Sequence, residues 1–429
     1  MTCTPAPPWT WGLLQAAWFV LPVLPGIGTV GFGVVMLATW RQQWRQLLGD
    51  RQLWGWGLLS LWLMISASFA AQPGEAWLGL ANLIPFFLLL AALRVLLRSP
   101  AQLRRLAWLG LYAALPVVGL GLGQVLFGWT TPSFWYTLLG WRLVAGGNPS
   151  GRMASSFMYA NLLAFYLAIV WTLGLGLAAN QWQIWRQQQR GGRLLLVILA
   201  SLAAIALALV LTHSRNAWLL ATVTTLAFAI YEGWSLLLLA VVTGIGTVAW
   251  AAFLPQWGGQ VLRPWLPKFI WARLSGDLFP HRYAAELRAT QWQFAWQMAR
   301  DRPWLGWGLR NFSPLYKAQW DFWLGHPHNL YLMVLAEAGW PTLLGLCGLV
   351  GSCIAPVVLT LKRWSPRDRR TVFSYLLAFG GVMAFNCLDV TLFDLRSNLI
   401  GWLLLGAIAG LGKALKSPAA AISPPAPEQ

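Results

Sequence analysis

The chain has 429 residues, 58% of them hydrophobic and 10% charged, with a formal net charge of +18. Soluble domains carry about 25% charged residues, so this balance excludes an ordinary globular protein and matches a chain that uses lipid as its main solvent. The excess of positive charge does not point to nucleic acid, because the basic residues sit in short clusters between apolar runs, where they orient membrane helices.

Apolar runs near the roughly 20-residue length of a bilayer crossing recur along most of the sequence. They predict helices over residues 10–24, 26–40, 52–70, 77–97, 106–127, 154–178, 194–212, 215–231 and 234–254, then 328–354, 371–390 and 396–412. The expected fold is therefore all-α, a polytopic transmembrane helical bundle of about 12 helices with a large helical periplasmic loop. Pro22, Pro25 and Gly26 leave open whether the first two segments are one kinked helix or two short ones. The short alternating strands of a membrane β-barrel are absent. The opening MTCTPAPPWTW lacks the positive stretch of a cleavable leader, so the first apolar run is expected to stay as a helix.

Four basic clusters fall on alternate sides of a twelve-span chain: Arg41 to Arg51, Arg98 to Arg105, Arg186 to Arg193 and Lys362 to Arg370. The positive-inside bias makes all four cytoplasmic, together with both termini. The expected organisation is nine transmembrane helices in residues 1–254, a periplasmic loop with an amphipathic helix in 255–327, three further transmembrane helices in 328–416 and a disordered cytoplasmic tail in 417–429. Pro255 to Pro327 carries nine Lys or Arg residues, but long loops are largely exempt from the charge bias. Within it, Tyr283 to Arg300 has helix-forming composition and more apolar surface than a solvated helix needs, which suggests that it lies against the membrane face. The four cysteines show no metal-ligand spacing, and no metal or other cofactor is indicated.

His326 and His328, in GHPHNLYL, sit where the long outer loop returns to the membrane. Histidine suits proton transfer near neutral pH; the alternative is an interfacial residue that caps a helix, for which His328 and Asn329 are well placed. Arg215, in LTHSRNAWL, lies at or inside the outer membrane boundary, where a guanidinium needs an anionic partner, a watery cavity or a route to snorkel. Arg288 on the loop helix and Arg152 in NPSGRMASSF face the same side. Three arginines converging there would suit a phosphate or diphosphate. Glu337 falls roughly 13 Å deeper than His328 along one helix, as a structural partner for a neighbouring helix. Asp389, Asp394 and Arg396 cluster between the last two spans and read as a structural ion pair.

The stretches NPSGRMASSFMYANLLAFYL, THSRNAWLLA, RDRPWLGWGLRNF and HPHNLYLMVLAEAGW occur in an order and spacing that resemble the O-antigen ligase and polymerase superfamily, membrane glycosyltransferases that use undecaprenyl-diphosphate-linked glycans. The resemblance covers about residues 146–340. It implies metal-independent transfer of a glycan from undecaprenyl diphosphate to a glycan, lipid or protein acceptor at the periplasmic face of a bacterial inner membrane. By that likeness His328 is the expected general base and His326 the second candidate, while Arg215, Arg288 and Arg152 bind the donor diphosphate. The chain also resembles a cyanobacterial branch labelled as inorganic-carbon transporters. Ligase, polymerase of the same chemistry and anion transporter therefore stand as the readings, with the ligase preferred. The long loop is a candidate lid over the site.

Overall fold

The computed structural model describes residues 8–277 and 283–415. Among these residues the protein is mostly helical, with one isolated bridge between Gly147 and Arg152 and no strand. Helix forms over most of the predicted segments, but 77–97 is divided into Pro73–Gly79 and Ile84–Leu96 by a 3-10 turn, and the helix expected from residue 154 starts at Ala160. Seven helical segments, Pro73–Leu96 and Leu330–Arg363 among them, are long and apolar enough to cross a bilayer, so the fold is a polytopic helical bundle. The Pro- and Ala-rich tail and Cys3 lie outside the described residues, and Cys347, Cys353 and Cys387 are free thiols.

The first two segments are separate helices, Pro8–Val20 and Pro25–Leu48. At 1.5 Å per residue the first is only about 20 Å long, short of the roughly 30 Å apolar layer. Small residues let the pair approach closely: a Cβ on Gly31 would stand 2.7 Å from that of Ala17. Side chains define several helix starts. The Asp50 carboxylate accepts from the Gln52 amide at 3.2 Å ahead of Arg51–Ser68. Ser365 accepts from the Asp368 amide and donates back to its carboxylate ahead of Pro366–Phe385, with proline in the first turn.

The chain divides into two compact units, one of residues 1–113 with 288–429 and the other of residues 114–287. The long loop of the sequence reading is thus shared between them, 255–287 in one and 288–327 in the other. In the first unit the last helix, Leu395–Leu415, packs on Ile84–Leu96 through Gly406 and Gly410; a Cβ on Gly410 would overlap the Leu97 carbonyl. Trp56, Phe87 and Trp402 fill the space beside them, with ring centroids 4.9 to 5.6 Å apart. At one end the Asp50 carboxylate holds Arg94 at 3.0 Å and Lys413 at 2.9 Å. In the second unit Ala160–Gln188 is buried along most of its length against Gly192–Leu211 and Arg215–Glu232.

The helix Leu330–Leu359 is broken at Gly339, whose backbone (φ 78°, ψ 173°) is not helical. A break frees carbonyls that must find donors elsewhere. The segment Pro303 to Gly308 supplies them: Trp307 and Gly308 donate their amides to the Ala336 and Glu337 carbonyls at 3.0 and 2.7 Å, and Trp340 donates to Pro303 at 2.8 Å. Glycine is required at this seam, because a Cβ on Gly306 would sit 2.3 Å from the Glu337 carbonyl carbon and one on Gly339 2.2 Å from the Trp304 oxygen. The buried Glu337 carboxylate accepts from the Phe312 amide at 2.9 Å. Its partner is therefore the loop backbone, not the neighbouring helix expected from sequence.

The loop helix starts at Arg288 and runs to Asp301, with a short 3-10 turn at Ala284–Glu286 where the sequence predicted continuous helix. Part of its apolar face packs inside the protein, while Trp296, and Leu287 just ahead of the helix, stay 46% and 42% exposed. Gln291, Ala295, Met298 and Ala299 are buried, Trp296 meets Trp340 edge-on at 6.3 Å, and Phe294 packs against Phe312 and Tyr316.

Candidate active site

His326 and His328 occupy the entry to the broken helix. Asn329, not His328, caps that helix, its side chain accepting from the Leu332 amide at 3.0 Å. This relieves His328 of the structural duty considered for it. The loop helix pins the segment from the other side through Trp292, whose indole N–H donates to the Pro327 carbonyl at 3.0 Å. His328 has a left-handed backbone (φ 52°) and its amide donates to His326 Nδ1 at 3.2 Å, which sets the two rings edge to face at 4.5 Å.

The side chain that orients His328 comes from 61 residues further on. Asp389 Oδ1 lies 3.2 Å from His328 Nδ1 and 3.9 Å from His326 Nε2. Burial raises the Asp389 carboxyl, but the hydrogen bond and charge of His328, the charge of His326 and the Val390 amide outweigh it, holding the group below the usual carboxylate value. With Nδ1–H assigned as the donor to that carboxylate, Nε2 of His328 is left as the proton acceptor. His326 is displaced the other way. Burial, then the neighbouring His328, and finally Arg288 push its imidazole down to about 4 against the pull of Asp389, so it is neutral at pH 7.

The arginines divide between the units. Arg288, at the start of the loop helix, belongs with the histidines and is close enough for its charge to act on His326. Arg152 and Arg215 belong to the other unit, where a third arginine joins them. Arg152 Nε donates to the Thr212 carbonyl at 2.8 Å and its Nη2 to Asn161 at 2.6 Å. Arg273 Nε donates to the His213 carbonyl at 2.8 Å, and Arg215 Nη1 to the Arg273 carbonyl at 3.2 Å. Burial, then the charges of Arg273 and Arg152, hold the His213 imidazole below its ordinary value.

Residues 199–347, roughly a third of the chain, match the family model described as O-Antigen ligase. That stretch is similar to an O-antigen ligase domain. No curated protein matches the sequence. The matched stretch contains Arg215, Arg288, His326 and His328, whereas Arg152 precedes it and Asp389 follows it. The match, with the seven candidate membrane spans, supports a multi-pass membrane protein of the O-antigen ligase and polymerase type.

Two contributors to this geometry escaped the sequence. Asp389 was grouped with Asp394 and Arg396, yet only the latter two pair, at 3.4 Å, with Asp394 also capping the last helix through Ser397. Arg273 lies in the long loop with no motif around it; its only signal is basic charge next to an apolar run. His326, His328 and Asp389 place one donor atom each within 4.8 Å of one another, a span that one divalent ion could bridge. Asp389 Oδ1 is also engaged by His328 Nδ1 and the Val390 amide.

Proposed function

We propose that the protein transfers a glycan from undecaprenyl diphosphate to an acceptor hydroxyl at the periplasmic face of a bacterial inner membrane, without a metal ion. His328 Nε2 takes the proton of the acceptor hydroxyl, and the freed oxygen bonds to the anomeric carbon. The bond from that carbon to the diphosphate breaks, and the leaving group departs as undecaprenyl diphosphate. Direct displacement inverts the anomeric configuration. Asp389 holds the His328 ring in the working tautomer and steadies the imidazolium as it forms. Arg215, Arg288 and Arg152 neutralise the diphosphate, which gains charge as the bond breaks; Arg273 adds a further guanidinium beside Arg215.

The observation that carries this reading is the contact of His328 Nδ1, inside the matched stretch, with the buried Asp389 carboxylate beyond it. A histidine that served only as an interfacial anchor would have no need of an oriented ring with one nitrogen left for the proton. The test is glycan transfer in nanodiscs from purified undecaprenyl-diphosphate glycan to a panel of acceptors. Loss of a general base lowers rates by about 10²–10⁴-fold; His328→Ala is expected to fall in that range and Arg215→Ala to lose donor affinity. Product formation that survives His328→Ala in a folded protein refutes the base assignment. The productive acceptor separates ligase from polymerase, since a polymerase extends another lipid-linked chain.

A further inference from the structure

The first unit holds a second feature that the transfer chemistry does not use: a cavity of about 630 Å³ with His326 in one wall. That volume lies within the roughly 300–1,000 Å³ usual for small-molecule sites. Its lining comes from four separated stretches of sequence. Glu75 follows the third helix, Arg310 and Trp323 flank the loop segment after the glycine seam, and Phe393 follows Asp389. Gln72 and Asn82 add two amides.

The chemistry of the wall is specific. Trp323 and Phe393 present aromatic faces that the protein leaves 64% and 40% exposed, and Phe393 is held in place by stacking on His326 at 6.2 Å. Glu75 and Arg310 pair through a single contact, Oε2 to Nε at 3.2 Å. Among the described residues that contact leaves Glu75 Oε1 and both terminal nitrogens of Arg310 for a ligand. Planar groups with several donors and acceptors, set beside an aromatic face, suit a molecule with hydroxyls around its rim and C–H bonds on its flat side. A sugar ring is such a molecule. The one guanidinium in the wall is balanced by the one carboxylate, so the cavity carries no surplus positive charge to hold a diphosphate.

We infer that this cavity is the subsite for a neutral sugar of the acceptor glycan, with Trp323 as its stacking platform and Glu75 and Arg310 as its hydroxyl ligands. This rests on the glycosyl-transfer reading, in which the acceptor must present a hydroxyl to the histidines. A sugar seated against His326 stands beside the ring whose Nε2 is 3.9 Å from the carboxylate that orients His328. The site thus specifies the acceptor class as a saccharide and not a protein side chain or a bare lipid.

The test separates binding from turnover. Saturation-transfer NMR on the full-length protein in nanodiscs is run with a panel of free neutral disaccharides and methyl glycosides, and with inorganic diphosphate as competitor. At least one neutral saccharide is expected to bind wild type and His328→Ala alike, to lose at least 10-fold in affinity with Trp323→Ala and with Glu75→Gln, and to resist displacement by diphosphate. In transfer assays the same two substitutions raise the acceptor KM at least 10-fold with little change in the donor KM. Absence of saccharide binding, indifference to both substitutions, or displacement by diphosphate overturns the subsite. Saccharide binding that follows this pattern in a protein that transfers nothing leaves the subsite standing and refutes the transfer reading instead.

Discussion

Asp389→Asn isolates the contribution of the carboxylate, because the amide keeps the size of the side chain and an oxygen for the Val390 amide, now 2.9 Å away. What it removes is a negative charge 3.2 Å from the nitrogen of a ring that becomes positive as the acceptor proton arrives. At an effective dielectric of 20 that pair is worth about 5 kcal/mol when the proton is fully transferred. With the proton roughly half transferred in the transition state, the loss is about 2–2.5 kcal/mol, and at 1.36 kcal/mol per decade the rate falls about 30- to 70-fold. The assay is steady-state transfer in nanodiscs at saturating donor, varying acceptor. The fall is expected in kcat, with acceptor KM unchanged, because Asp389 acts on the base and not on the sugar. A variant whose kcat stays within about threefold of wild type would refute the view that the carboxylate steadies the imidazolium.

Gly306→Ala drives a Cβ into the Glu337 backbone at a residue with φ 68°, and overpacking and left-handed strain together cost about 2–4 kcal/mol. Thermal denaturation of the purified variant should show that loss, whereas Gly348→Ala, which meets nothing within 4 Å, should leave stability unchanged or slightly raised. His326 gives stability a pH slope. Its imidazole titrates near 4 in the fold and near 6.5 when unfolded, so between those values the unfolded chain binds more protons, and stability falls as pH drops from 6.5 towards 4. The full effect is on the order of 3 kcal/mol; melting curves at stepped pH should show it, and His326→Gln should flatten it. Prolonged treatment with a strong chelator should leave the transfer rate unchanged, and restoration of a lost rate by added divalent cations would overturn the metal-free chemistry.

Run length and apolar content were enough to find the helices, because a segment surrounded by lipid must close its hydrogen bonds within itself and so announces its extent locally. The histidine pair was equally visible, as two titratable groups at a loop-to-helix junction. The break at Gly339 was not, since its cause lies 30 residues earlier in the amides of Trp307 and Gly308. Asp389 was misassigned for the same reason. From sequence its near neighbours Asp394 and Arg396 look like its partners, and only tertiary structure delivers it to His328. The apolar face of Arg288–Asp301 was read correctly as needing cover. That much of the cover would be another part of the protein, around Trp340 and Phe312, could not be told from the helix alone.

The seam between Pro303–Gly308 and the broken helix bears on how substrates enter and leave. Three backbone hydrogen bonds and the Glu337 contact fasten this part of the loop to the half-helix that begins two residues after His328. Swinging the segment outward on its own would break those bonds, at about 0.5–1.5 kcal/mol net for each. Loop segment and half-helix are thus expected to move as one piece in any opening of the site.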